Sequence, residues 1–348
     1  MSSKALSLGT LISIIIGLVI GGFLGIMVGG TILAVTTTSS VTTTLTSTST
    51  TTSVTTETVT TFSYLTSTTI TTITTTSTVF TYTTGLKGIE AISFNGQNQY
   101  FQTPSFQISG GAANLFNYIA ISKGSITVVT WVYLNAGDWG PILGFASGQP
   151  TSLIPPGSYT PWLYISSNGI VYAADVVPSC ILGVCAGGSM YYVDSSTPIS
   201  TGWHMLTIEE GHSSGNTYYI RLYIDNEFIG ASSISGTPQL FDSIQYGYIG
   251  VAYAVNTPPS PWPDSWYGWH YFNGYIAEII IYPFALSQPQ VNELFNAGVG
   301  NPPVRGYVGL YLVSSYDSVS AVWHDLSGNH YDLTAYYSPS VVTLPTPP

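Results

Sequence analysis

Paired carboxyl groups are what cleavage of a glycosidic bond needs. Glu209 and Glu210 are adjacent within an apolar, β-prone run, so on a strand they point to opposite faces and cannot flank one bond. Gly211-His212-Ser213-Ser214-Gly215 spells the Gly-x-Ser-x-Gly string of serine hydrolases. That string works at a strand-to-helix elbow, whereas here it joins two predicted strands as a hairpin loop, which removes Ser213 as a nucleophile. His204, His270, His324 and His330 are scattered beside aromatic or turn residues. They read as packing or turn positions before metal ligands. Cys180 and Cys185 lie in a Gly-rich stretch that reads as a loop, with no His or third Cys nearby. Outside a cell this pair is expected to form a short disulfide, and no metal is expected there.

Aromatic residues offer a recognition chemistry instead. The segment 257–271 gathers Trp262, Asp264, Trp266, Tyr267, Trp269, His270 and Tyr271 among four prolines. Exposed rings beside an acid and a His suit stacking on a sugar ring, and Trp and Tyr also anchor protein interfaces. The competing reading is that these rings cap an open end of the fold. A second loop, 153–162, carries Tyr159 and Trp162 and is expected beside the first.

The chain that must position these groups has 348 residues and begins with a biased quarter. Residues 6–35 contain no charge; as a helix they would run about 45 Å, longer than the ~30 Å hydrocarbon core. They are expected to form a transmembrane helix, with residues 1–5, including Lys4, in the cytoplasm and everything after Val35 outside. A cleaved signal peptide is the rival, disfavoured by the length of the run. Gly17, Gly21, Gly25 and Gly29 would stack on one helix face and permit self-association. Residues 36–84 are about three quarters Thr and Ser. They read as a low-complexity stalk rich in hydroxyls for O-glycosylation, with a reach of up to about 160 Å. Thr and Val also favour strands, so a β-fibrous stalk is the alternative.

The remaining ~260 residues suit one large β domain. Charged residues make up 6% and aromatics 14%, with 26 Tyr. The net charge of −11 and five Lys and Arg exclude nucleic-acid binding, which needs clustered cations. Carboxylates titrate near pH 4, so the composition suits an acidic external medium as well as a low-charge surface in a neutral one. Short alternating or apolar runs separated by Gly, Pro, Asn and Ser predict many strands. One short helix is predicted over 287–297, with Ser287 as N-cap and Leu294 and Phe295 on one face. The class is an all-β antiparallel sandwich or barrel.

An ordered series of motifs then carries a resemblance. Phe94-Asn95-Gly96, Thr130-Trp131-Val132, Trp203-His204-Met205-Leu206, Leu222-Tyr223-Ile224-Asp225-Asn226, Phe272-Asn273-Gly274-Tyr275 and Ala285-Leu286-Ser287 follow one another. The series resembles the laminin-G-like jelly rolls of the concanavalin A-like lectin/glucanase superfamily. The resemblance implies a lectin-like domain over 85–340, with Trp131 and Trp203 between the sheets, a hairpin turn at Asp225-Asn226 and a C-terminal tail at 341–348. The Glu-x-Asp-x-Glu spacings of the family's hydrolases are absent. Tyr307 to His330 resembles a stretch that precedes the Phe-x-Gly element in the family, yet it follows the helix here. That order implies circular permutation, or else a truncated second copy. Calcium occurs in such folds, and Asp325, Ser327 and Asn329 have an oxygen spacing that could hold it; an Asx turn is the alternative.

The expected protein is therefore a non-enzymatic, single-pass surface protein presenting a lectin-like head to a glycan or a partner surface. Its stalk, low charge and membrane helix resemble surface proteins of thermoacidophilic archaea or envelope proteins of their viruses. Lys4-Ala5-Leu6 resembles an archaeal pilin processing site, and a structural subunit of a filament or envelope is the alternative. Polysaccharide hydrolysis is the least favoured.

Overall fold

A computed structural model describes residues 25–28, 31–45, 51–61, 88–152, 157–181, 184–255, 267–300 and 302–346. The chain divides into two units, Met1–Leu86 and Lys87–Pro348.

In the first unit Gly25–Val28, Thr31–Leu45 and Thr51–Thr61 are strands of one antiparallel sheet. Gly25 pairs with Ala34, and Val35 pairs with Thr61. The helix expected over 6–35 is therefore not present at 25–28 or 31–35, where β-branched residues lead directly into the Thr tract. Residues 6–24 lie outside the described residues, as do Gly17, Gly21 and Gly29. Gly25 stands on a strand and not on a helix face. Among the described residues no helix is long and apolar enough to cross a membrane. The stalk is β-structured where it is described, which is the alternative that Thr and Val permit.

The second unit is a sandwich of two antiparallel sheets. Sheet A has the spatial order Glu227–Ser235, Thr217–Ile224, Gly202–Ser214, Ser125–Leu134, Asn273–Tyr282, Ile89–Asn95 and Ser340–Leu344, and Gly309–Leu312 also pairs with Asn273–Tyr282. Sheet B runs Val184–Asp194, Val171–Ile181, Tyr159–Ile165, Gly140–Ala146, Tyr246–Ile249, Tyr100–Gln102, Leu333–Tyr336, Val322–Trp323 and Tyr316–Asp317. Ile92, Val128, Val132, Leu206 and Ile208 from sheet A meet Phe101, Leu143, Phe145, Leu163 and Trp323 from sheet B in one core. The C-terminal strands thus complete both sheets. The tail expected at 341–348 is in part the edge strand Ser340–Leu344, paired with Ile89–Asn95.

Among the described residues two α-helices pack on the sandwich. α1, Leu115–Lys123, was not foreseen: Asn114 caps it by accepting from the N–H of Phe116 at 2.9 Å, and Gly124 ends it at φ 80°. α2, Gln288–Ala297, begins at Ser287, whose N–H donates to Gln290 Oε1 at 2.9 Å. α2 lies on the outer face of sheet A, where Phe295 stacks on Trp131 with centroids 5.7 Å apart. Trp131 and Trp203 therefore pack outside sheet A, not between the sheets.

The outer face of sheet B is crossed by a hairpin, Val251–Val255 with Tyr267–Tyr271. It presses so close that a Cβ at Gly144 would stand 2.7 Å from Ala252 Cβ. The chain reverses from sheet B into this hairpin at Gly250, where φ is +84° and a Cβ would lie 2.4 Å from Phe94 Cε1. Gly250→Ala combines backbone strain with a clash in a packed core and is expected to destabilise the head by about 1–3 kcal/mol. Urea unfolding of the two chains checks this.

Candidate functional site

The hairpin turns the outer face of sheet B into an aromatic band. Strand alternation sends Tyr100, Tyr159, Tyr164, Tyr172 and Tyr248 to this face, opposite the core residues Phe101, Phe145 and Leu163. Tyr159 meets Tyr253 at 5.0 Å, Tyr253 meets Trp269 at 5.4 Å, and Trp269 meets Tyr248 at 5.6 Å, all edge to face. Tyr248 continues to Tyr100 at 5.7 Å, and Tyr336 stacks on Tyr100 at 4.5 Å. Beyond the hairpin Tyr164 stacks on Tyr172 at 4.8 Å, and Tyr172 leads to Tyr192. Tyr159, Trp269, Tyr271 and Tyr336 are half-buried, whereas Tyr192 and Tyr337 are 43% and 54% exposed. Burial, followed by the charge of neighbouring phenols, raises the pKa of Tyr100 and Tyr248, so the band is uncharged.

Of the residues singled out in the sequence, Tyr159 and Trp269 come together here through Tyr253, which the sequence reading missed. His270 lies on the same hairpin, paired with Ala252. Tyr267 pairs with Val255 at the end of the ladder. Trp262, Asp264 and Trp266 fall outside the described residues. Trp162 does not belong to the band: its side chain is fully buried between the sheets and donates from Nε1 to Glu210 Oε2 at 2.8 Å. In Tyr159–Ile165 Tyr159 faces outward and Trp162 inward. Cys180 and Cys185 stand on paired strands, not on a loop, and are register partners in the ladder.

The carboxyl groups divide as adjacency on a strand requires. Glu209 lies on the outer face of sheet A and accepts from Arg221 Nη1 at 2.9 Å. Burial raises its pKa in spite of that partner. Glu210 points into the sandwich, where it meets Asp175 of sheet B, and both are fully buried. Asp175 Oδ2 accepts from the N–H of Leu240 at 2.9 Å, while Oδ1 faces Thr160 Oγ1 at 3.2 Å. Burial and then the charge of Asp175 hold Glu210 well above the usual carboxylate range. Burial raises Asp175 as well, to about 6, so both acids of the pair hold their protons to higher pH than an exposed carboxyl. The Asp175–Glu210 pair joins strands from different sheets and has no local sequence signal.

Ser200, His204 and Asp225 stand in the order of a serine hydrolase relay, with Ser200 Oγ 3.2 Å from His204 Nε2 and Nδ1 3.1 Å from Asp225 Oδ2. Nε2 also lies 3.0 Å from the Ser200 carbonyl oxygen, which can only accept. Both ring nitrogens thus face acceptors, an arrangement that favours the protonated ring. Burial works against that charge, but the hydrogen bond and charge of Asp225 and the Ser200 carbonyl outweigh it and raise the pKa. An imidazolium cannot take a proton from Ser200. The trio is a clamp between the loop before Gly202–Ser214 and the Asp225 turn.

Asp325 is occupied as a turn former. Oδ1 accepts from the N–H of Leu310 and Ser327, and Oδ2 from Ser327 Oγ and the N–H of Tyr331, all within 3.1 Å. Asn329 Nδ2 donates to the Val308 carbonyl at 3.0 Å. The lone pairs a calcium ion would need already receive protein hydrogens. No three His, Cys, Asp or Glu side chains converge among the described residues.

No known protein family matches the chain, and no curated protein does. Among solved structures, the native heptameric SAP-like pentraxin from Limulus polyphemus aligns over 74% of this chain and 95% of its own, at 13% identity and a TM-score of 0.38. The Ruminococcus gnavus IT-sialidase CBM40 aligns over 55% of this chain and 96% of its own, at 13% identity and 0.32. Domains LG4-5 of the mouse laminin alpha1 chain align over 56% and 41%, at 14% identity and 0.30. Likenesses this loose carry no argument about the chain.

Proposed function

We propose that the Lys87–Pro348 unit is a non-catalytic recognition head that binds glycan through the aromatic band on sheet B. The supporting observation is the band itself. The half-buried Tyr159, Trp269, Tyr271 and Tyr336 and the exposed Tyr192 and Tyr337 form its accessible rim, set on the buried Tyr100, Tyr248 and Tyr253, and offer uncharged apolar ring surface flanked by phenol hydroxyls. A pyranose ring needs that combination, a face of C–H groups to stack and hydroxyls to hydrogen-bond. The scarcity of cations favours neutral over acidic sugars. A non-catalytic role fits the carboxyls, since Glu209 is sealed against Arg221 and Glu210 against Trp162, on opposite faces. Membrane anchoring by the part of the uncharged run that precedes Gly25, and display on the 36–84 stalk, belong to the same proposal.

The test is a glycan array probed with the full chain and with Trp269→Ala. Trp269 links Tyr253 to Tyr248, so its loss is expected to weaken binding to neutral glycans about tenfold or more. Hydrolysis of a polysaccharide panel is expected to be absent.

A further inference from the structure

The interior of the sandwich holds a polar island that recognition at the surface does not use. Thr160, Asp175 and Glu210 are fully buried, and Gln239 is 6% exposed. Thr160 and Asp175 belong to sheet B and Glu210 to sheet A. Gln239 opens the short 3-10 turn Gln239–Phe241, whose Leu240 is part of the core. Thr160 Oγ1 lies 2.9 Å from Gln239 Oε1 and 3.2 Å from Asp175 Oδ1. A hydroxyl has one proton and two acceptors here. At rest the hydroxyl can donate to Gln239 Oε1; given to Asp175 instead, its proton no longer bridges that contact, and the oxygen lone pairs are free to turn from Oε1 to the carbon that carries it.

We propose that Thr160 and Gln239 join in an intramolecular ester, formed by the chain itself with Asp175 as the base. Thr160 Oγ1 attacks Gln239 Cδ, and its proton passes to the Asp175 carboxylate. The Oγ1–Cδ bond forms, the Cδ–Nε2 bond breaks, and Asp175 returns the proton to Nε2, so that ammonia leaves. The products are one ester and one ammonia; nothing is oxidised or reduced and no water enters the balance.

Three features of the site serve this step. Nucleophile and acyl group are held together 79 positions apart in sequence, which replaces a bimolecular encounter with a local one. Asp175 lies within hydrogen-bonding reach of Thr160 Oγ1, and although burial raises both carboxyls, Asp175 reaches only about 6 while Glu210 stands well above the usual range, so Asp175 is the one open to accept a proton near neutral pH. The surroundings exclude water, which protects an ester once ammonia has escaped. Glu210 acts through Asp175 and is a positioning residue. The cross-link would tie the Tyr159–Ile165 strand to the turn at Gln239, and like any long-range covalent link it would restrict the unfolded chain.

Peptide mapping of the full chain by mass spectrometry tests this. The expected result is a cross-linked pair containing Thr160 and Gln239, one ammonia lighter than the two peptides together and cleaved by hydroxylamine. Thr160→Val removes the pair, and Asp175→Asn, which keeps both reacting groups, slows its appearance at least tenfold. In wild type, formation slows as pH falls and Asp175 is protonated. Recovery of unlinked Thr160 and Gln239 peptides from wild-type chain incubated at neutral pH would overturn the proposal. A cross-link formed equally fast in Asp175→Asn would overturn the assigned base. If neither variant folds, the wild-type peptide map and its pH dependence still decide.

Discussion

Trp162→Ala is expected to cost about 3–5 kcal/mol of folding stability, as deletion of a large buried aromatic does when its site cannot collapse. Trp162 touches Phe116 of α1 and Phe145 of sheet B, with centroids 5.6 and 6.2 Å away, so both would border the cavity. A second loss is added: Glu210 Oε2 would lose its indole donor inside the sandwich. Trp162→Phe keeps an aromatic ring but loses the N–H together with part of the volume, and is expected to cost less than Trp162→Ala, about 1–3 kcal/mol. Chemical denaturation of the three chains measures both losses. Equal stability of wild type and Trp162→Ala would mean that this end of the sandwich is not packed as described.

The second large effect concerns pH. Burial is the leading cause of raised pKa values at Glu209, Glu210, Asp138, Asp175 and Glu278, and Glu278 is pushed from 4.5 to about 7. An acid whose folded pKa is raised binds more protons folded than unfolded, so its contribution is complete below the unfolded pKa and is lost as pH rises through the folded one. At about 1.4 kcal/mol for each pH unit, Glu278 alone accounts for about 3 kcal/mol lost between about pH 4.5 and 7. His204, with its raised pKa, acts in the same direction above its ordinary 6.5. Asp317 and Asp332 are lowered, by hydrogen bonds from Ser320 and Val319 in the one and, against some burial, from Asp325 and His324 in the other. Their contributions are lost only below about pH 4. The head is therefore expected to melt at higher temperature near pH 4.5 than near pH 8. Glu278→Gln, which needs no proton, should flatten part of that slope. A melting temperature that rises from acid to alkaline pH would contradict the assignment of these buried groups.

Much of the architecture is readable from the residues. The antiparallel β class, α2 with its Ser287 cap and the opposite faces of Glu209 and Glu210 follow from local pattern, and the Asp225 turn from the motif resemblance. The failures have a common physical cause. Ser125–Leu134 is buried on nearly every residue, so alternation carries no information about facing, and Trp131 is as apolar outside sheet A as it would be inside. Trp162 sits in a similarly buried run. α1 is apolar nearly all round, and its helical period is hidden. The island of Thr160, Asp175, Glu210 and Gln239 is assembled by tertiary pairing alone. At the aromatic band, composition announces the rings, but only the ladder of Val251–Val255 with Tyr267–Tyr271 reveals that Tyr253 connects Tyr159 to Trp269.

Recognition through the aromatic band is tested most directly by titrating the full chain and Trp269→Ala with a neutral oligosaccharide and following intrinsic fluorescence. Saturable binding by wild type, weakened about tenfold or more in the variant under conditions where both chains are folded, is the predicted result. Binding of equal strength in both chains, or no binding of wild type to any neutral glycan, would contradict it.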